Sequence, residues 1–122
     1  MLYIAVVEKN TLVADQIQKH VQNHLKHINI RFLVYDTYEK VDSISKINIL
    51  FSSIEQIKDI DSVREIQEKN PAIQIIFYSD CIEWALEIYD IPHVYFILKD
   101  ELPFQIEKAI QRSLSHLKAL GC

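Results

Sequence analysis

Apolar residues fall along this chain in two alternating rhythms. Leu2 to Val7 is a continuous apolar run rich in β-branched residues, the pattern of a strand buried on both faces. Val13, Ile17, Val21 and Leu25 then recur every four residues, the stripe of an amphipathic helix that Asn10 or Thr11 can cap. Ile28 to Tyr35 reads as a second strand, where Ile28, Ile30, Phe32 and Val34 alternate with Asn29 and Arg31. Asp36-Thr37 opens a short helical piece around Tyr38 to Val41. Ile47 to Ser53 predicts a third strand. Asp61 is a candidate cap for a helix through Val63, Ile66 and Lys69, which Asn70-Pro71 stops because the residue before a proline disfavours helical backbone. Ile73 to Tyr78 predicts a fourth strand, Ile82 to Tyr89 a short helix ended before Pro92, and Val94 to Leu98 a fifth strand. Pro103 suits the first turn of a last helix with Ile106, Ile110, Leu114 and Leu117 on one face. That helix is expected to run to about Leu120, with Gly121 where helices end.

Apolar strands joined by helical crossovers imply an α/β fold, a parallel sheet with helices on both faces. No repeat, low-complexity tract or linker interrupts the pattern, so residues 1–122 read as one domain. In such sheets ligands sit outside the carboxyl ends of the strands. The residues standing there are Glu8, Lys9 and Asn10; Ser52, Ser53 and Glu55; Ser79 and Asp80; and Lys99 and Asp100. Strand ends are polar wherever they meet water, so this grouping names candidates without assigning them work.

Composition narrows the chemistry. The chain has a single glycine, Gly121, among 122 residues. A P-loop, a dinucleotide fingerprint, a nucleophile elbow and an EF-hand loop each need glycine where none stands. The net charge of −4 is a poor match for a phosphate backbone, so direct nucleic-acid binding by this domain is not expected. The two cysteines, Cys81 and Cys122, form no C-x-x-C pair and no disulfide framework. The N-terminus meets a charge at Glu8 and has no basic region ahead of its apolar run, so it does not read as a signal peptide. No apolar run is long enough to span a membrane. A cytoplasmic location without membrane attachment follows as an expectation.

Several stretches together point to a family. Ile75-Ile76-Phe77-Tyr78-Ser79 followed by Glu83-Trp84-Ala85-Leu86-Glu87, then Phe96-Ile97-Leu98-Lys99, and before them Arg64-Glu65-Ile66-Gln67-Glu68-Lys69-Asn70-Pro71, resemble the receiver domain of two-component response regulators. The nearest likeness is to receivers that precede LytTR-type DNA-binding domains. The resemblance covers residues 2 to 120, and its strength lies in the order and spacing of the pieces. It implies the flavodoxin-like five-stranded sheet with strand order 2-1-3-4-5.

Carried across position by position, the resemblance is incomplete. Where receivers have two acidic residues that hold magnesium, this chain has Glu8 and Lys9; where they have the phosphoacceptor aspartate, it has Ser53. The switch hydroxyl is present as Ser79, the switch aromatic as Phe96 and the lysine as Lys99, although the proline usual after that lysine is replaced by Asp100. Gln56-Ile57-Lys58-Asp59-Ile60 replaces the Pro-Gly loop and is shorter. Aspartyl phosphorylation needs a carboxylate nucleophile and a metal that neutralises phosphate charge. A serine hydroxyl beside a single glutamate and a lysine supplies neither. The expectation is a pseudo-receiver: no enzyme, no catalytic residue, no magnesium or other cofactor, with Lys99, Glu8 and Glu55 forming an ion-pair cluster where the metal would be.

Function would then pass through protein contacts, with a histidine kinase, a downstream effector domain or a second copy as partner. The resemblance points to the surface carrying Trp84, Tyr89 and Tyr95, residue types enriched at interfaces; Trp84 packing on its own domain is the alternative. As the regulatory part of a LytTR-type regulator the domain would control transcription. Two other functions stay open. One is a phosphorylatable receiver with Ser53 or Glu55 as acceptor, and the other a small-ligand or redox domain on the same fold. His20, His24 and His27 line one edge of the first helix at a spacing that suits either a metal or a pH-sensitive surface. Cys81 stands just past the fourth strand with no cation beside it, and reads as an ordinary thiol.

Overall fold

The computed structural model describes residues 1–119. Five strands, β1 (Leu2–Val7), β2 (Ile30–Tyr35), β3 (Ile49–Ser53), β4 (Gln74–Ser79) and β5 (Tyr95–Leu98), form an all-parallel sheet in the order β2-β1-β3-β4-β5. Four helices connect or follow them: α1 (Thr11–His24), α2 (Ile57–Lys69), α3 (Trp84–Glu87) and α4 (Leu102–Ala119). This is the doubly wound, flavodoxin-like architecture.

The period-two alternation of the strands divides the core in two. Ile4, Val6, Ile49, Phe51, Ile76, Tyr78 and Ile97 pack against Ala14, Ile17 and Val21 of α1 and Ile106, Ala109 and Ile110 of α4. On the other face Ala5, Val7, Leu50, Ile75 and Phe77 meet Ile60, Val63 and Ile66 of α2, together with Ile88 and Ile91. Strands β1, β3 and β4 are buried on both sides, which explains their unbroken apolar runs. Edge strand β2 leaves Arg31 and Val34 exposed.

Several expected boundaries move. Strand β2 starts at Ile30, not Ile28, because the Ile28 amide donates to the Leu25 carbonyl and closes the end of α1. Helix α2 starts well upstream of Asp61. Its N-cap is Gln56, and the Asp59 carboxylate accepts from the amides of Glu55 (2.9 Å) and Gln56 (3.2 Å). Ile57, the first residue of that helix, is exposed and so left no mark on the apolar stripe. The expected Ile82–Tyr89 helix shrinks to the single turn of α3. Strands β3, β4 and β5 each begin one or two residues later than Ile47, Ile73 and Val94. Asn10 caps α1, accepting from the amides of Leu12 and Val13. The expected terminus near Leu120, together with Gly121 and Cys122, lies outside the described residues.

Ser43, in the β2–β3 connection, takes a left-handed φ of 51°. A chain whose one glycine is Gly121 meets this turn with a serine, at some steric cost.

Candidate functional site

Parallel strands in register bring the residues that follow β1, β3, β4 and β5 to one edge. Glu8 follows β1 directly, and its amide donates to the Tyr35 carbonyl at 2.9 Å, extending the ladder with β2. Its side chain is almost wholly buried, 2% exposed. Both oxygens are engaged. Tyr78, on β4, donates its hydroxyl to Oε1 at 2.7 Å, and the Asn10 amide donates to Oε2 at 3.0 Å. The Tyr78 hydroxyl also lies 3.5 Å from the Val7 carbonyl.

Lys99, the first residue past β5, supplies the counter-charge. Its Nζ lies 3.9 Å from Glu8, 3.5 Å from Glu55 and 3.9 Å from Asp80, and 6.0 Å from the centre of the Tyr78 ring. One ammonium group thus faces three carboxylates. Lys9 turns outward, 70% exposed, and reaches Glu55 at 3.8 Å. The geometry therefore brings Glu8, Glu55 and Lys99 together, and keeps Lys9 at the rim.

Ser52 and Ser53 end β3 and, by alternation, face opposite sides of the sheet. Ser52 meets the hydroxyl of Tyr38, which also donates to the Ser53 carbonyl at 2.7 Å. The Ser53 hydroxyl is different. The residue is 6% exposed, and its Oγ is buried near the Tyr78 hydroxyl without a hydrogen bond of good geometry among the described residues.

Burial pushes both phenols up. Tyr38 is raised well above the ordinary value of 10.0 by loss of solvent and by nearby carboxylates. Tyr78 is raised by burial, then by the charge of Glu8 and the hydrogen bond to it. Each therefore stays a neutral donor across the physiological range. Neither tyrosine was singled out in the sequence, where Tyr78 reads as one more apolar position of a buried strand. The signal that could have found it is a phenol in β4 one residue before the strand-end Ser79, level with the end of β3.

The remaining candidates sit as follows. Ser79 donates to the Ile54 carbonyl at 2.7 Å and accepts from the Cys81 amide at 3.3 Å, so its hydroxyl ties two backbone segments together. Phe96 and Trp84 are half-buried against the α2 side of the core. Tyr95 donates to Gln105 at 2.9 Å and lies under Arg112, 4.9 Å from its ring centre. Of the three aromatic surface candidates, only Tyr89 is freely exposed, at 83%. The Cys81 thiol donates to Glu83 at 2.5 Å, and that bond raises its pKa. Helix α1 ends at His24, so His27 lies beyond it and the histidines do not share one helix edge. His24 instead approaches Glu107 of α4 at 3.9 Å.

Magnesium prefers octahedral oxygen ligands, with carboxylates contributing directly. In this site the one buried carboxylate already accepts two hydrogen bonds beside an ammonium group, and a hydroxyl stands at Ser53. Among the described residues no group of three His, Cys, Asp or Glu is arranged to hold a metal ion. This donor set differs from the acidic pair and aspartate that the resemblance would place there.

Solved structures of similar shape include response-regulator receivers. A response regulator receiver domain protein from Clostridium thermocellum superposes with a TM-score of 0.81 at 15% identity, over 98% of this chain and 99% of that one. A LuxR family DNA-binding response regulator from Silicibacter pomeroyi gives 0.79 at 13% identity, over 94% and 93%. The isolated REC domain of RcsB from Salmonella enterica serovar Typhimurium gives 0.76 at 16% identity, over 91% and 86%. No protein-family model and no curated protein matches the chain. The chain thus has the receiver fold, at identities where sequence alone says little. No described helix is long and apolar enough to cross a membrane.

Proposed function

We propose that this chain is a receiver-like signalling module that works without aspartyl phosphate and acts through protein contacts. The observation that carries the reading is the state of Glu8. Its carboxylate is held by Tyr78, Asn10 and Lys99, beside a serine where a receiver keeps its nucleophile. A neutral phenol and an ammonium group do locally what a divalent cation does in a working receiver, satisfying the carboxylate and balancing its charge. A serine ester of phosphate, moreover, lacks the easy hydrolysis of an acyl phosphate, so even a modified Ser53 would not reset as a receiver does.

The finer reading is a cytoplasmic, magnesium-independent module that serves as the regulatory part of a LytTR-type transcriptional regulator. The β4–α3 and β5 segments quoted above support it. A similar structure being a DNA-binding response regulator is consistent with an attached effector. Contacts would run through the exposed apolar side chains on and beside α3 (Ile82, Leu86 and Tyr89) and at the start of α4 (Phe104). A kinase, an effector domain or a second copy would dock there.

Incubation with acetyl phosphate and magnesium, followed by intact-mass measurement, tests the reading. No adduct is expected. A reproducible gain of one phosphoryl group, abolished by Ser53→Ala or Glu55→Gln, would establish a non-standard acceptor instead.

A further inference from the structure

Helix α4 carries Lys108 and Arg112 about one turn apart, with His116 a turn further on. Together with Ser115 and with Val94, just ahead of β5, these side chains line an open groove of about 560 Å³ beside the β5 edge of the sheet. The groove is positively charged on a chain whose net charge is −4. Lys9, Lys40, Lys58, Arg64 and Lys99 each face a carboxylate, whereas Lys108 and Arg112 have none within ion-pair distance among the described residues. Arg112 is nonetheless held in place. Its guanidinium lies over the Tyr95 ring, 4.9 Å from the centre, a contact that uses the flat face and leaves the N–H edge free. His116 is fixed too. The Gln74 side-chain amide donates to the Ala72 carbonyl at 3.1 Å, which leaves its Oε1 to accept from the His116 ring at 3.1 Å.

The spacing matches one kind of partner. Four residues of helix rise about 6 Å, and two residues of an extended strand advance about 6.6 Å. Carboxylates on alternate residues of an extended chain therefore meet Lys108 and Arg112 in step, while carboxylates on adjacent residues point to opposite sides. The backbone of such a chain has a place as well. β5 is an edge strand, so alternate residues along it turn their N–H and C=O groups away from β4. On the opposite face of the sheet Phe96 and Trp84 pack against the core, and Leu86 and Tyr89 stay exposed, an apolar surface for the intervening residues. A nucleic acid fits less well, because two cations on an acidic chain neutralise too few phosphates.

We propose that the β5 edge and the α4 groove bind an extended acidic segment of a partner protein, which adds to the sheet as a strand and pairs carboxylates on alternate residues with Lys108 and Arg112. The proposal rests on the reading that this chain acts through protein contacts, and gives one such contact its chemistry.

The test is a titration of the 15N-labelled full chain at constant ionic strength with a series of probes. These are a capped peptide of alternating glutamate and valine, the same residues with the glutamates in one block, a peptide of alternating lysine and valine, and single-stranded DNA. The alternating acidic peptide is expected to shift the amides of residues 94–98 and 108–116 saturably, and to slow hydrogen exchange at the outward amides of β5. The glutamate-block peptide is expected to bind about tenfold more weakly, and the lysine peptide and DNA not at all. Arg112→Gln is expected to weaken binding about tenfold and Lys108→Gln about threefold. Lys19→Gln, the same loss of charge on α1, is expected to leave it unchanged. A flat titration, equal binding of the glutamate-block peptide or of DNA, shifts without slowed exchange in β5, or parent affinity in Arg112→Gln would each overturn the proposal. So would a free chain that sediments as a dimer and becomes a monomer in Arg112→Gln, because a second copy would then fill the groove. Failure here leaves the acetyl phosphate result untouched, and an adduct there leaves the groove as it stands.

Discussion

Glu8 and Ser53 stand at the ends of neighbouring strands, both polar and both buried, and the chain treats them in opposite ways. Glu8 has a donor on each oxygen and an ammonium group at 3.9 Å. Ser53 has a hydroxyl with no partner among the described residues. A buried charge must be paired or the fold suffers, whereas an unpaired hydroxyl is a smaller and tolerable cost. The constraint therefore lies with Glu8, whose pairing the fold must keep, while the Ser53 hydroxyl adds little to it.

Lys99→Met should separate the two halves most sharply. It leaves Glu8 buried beside Glu55 and Asp80 without their shared cation, and should cost about 3 kcal/mol in urea unfolding. A loss too small to resolve would mean that Tyr78 and Asn10 alone hold the carboxylate. Alkaline pH probes the two phenols. Tyr38 and Tyr78 have raised folded values, so above the unfolded value near 10 the unfolded chain releases protons that the folded chain keeps. Stability should be level below that pH and fall above it, by about 1.4 kcal/mol per pH unit for each phenol. Absorbance titration should find these two tyrosines ionising only with unfolding. Tyr78→Phe removes one charge-assisted bond to Glu8 and should cost about 2 kcal/mol. Ser53→Ala should be the smallest change, within about 0.5 kcal/mol of the parent. A loss near that of Tyr78→Phe would erase the contrast between the two residues.

The sheet was legible because β1, β3 and β4 are buried on both faces, and unbroken runs such as Ile73 to Tyr78 admit few other readings. Helix α2 was placed late because its first residue, Ile57, faces solvent and its cap is a glutamine assisted by Asp59. The strand-end residues Glu8, Ser53 and Lys99 were legible because parallel topology alone carries them to one edge. Tyr78 and Tyr38 were not. A tyrosine in an apolar run looks like core until register shows its hydroxyl against a carboxylate. The burial of Glu8 was equally hidden, since a charged residue after a strand ordinarily meets water.

With Tyr78 and Lys99 holding Glu8 where a receiver would hold a metal, beryllofluoride with magnesium should find no site in this chain. This pair mimics a phosphoryl group on an aspartate without needing a chemical step. Titrated into the 15N-labelled chain, it should leave the amides of residues 8–10, 53–59 and 79–81 unmoved at every concentration. Saturable shifts at those positions, lost in Ser53→Ala, would return the site to phosphoryl chemistry.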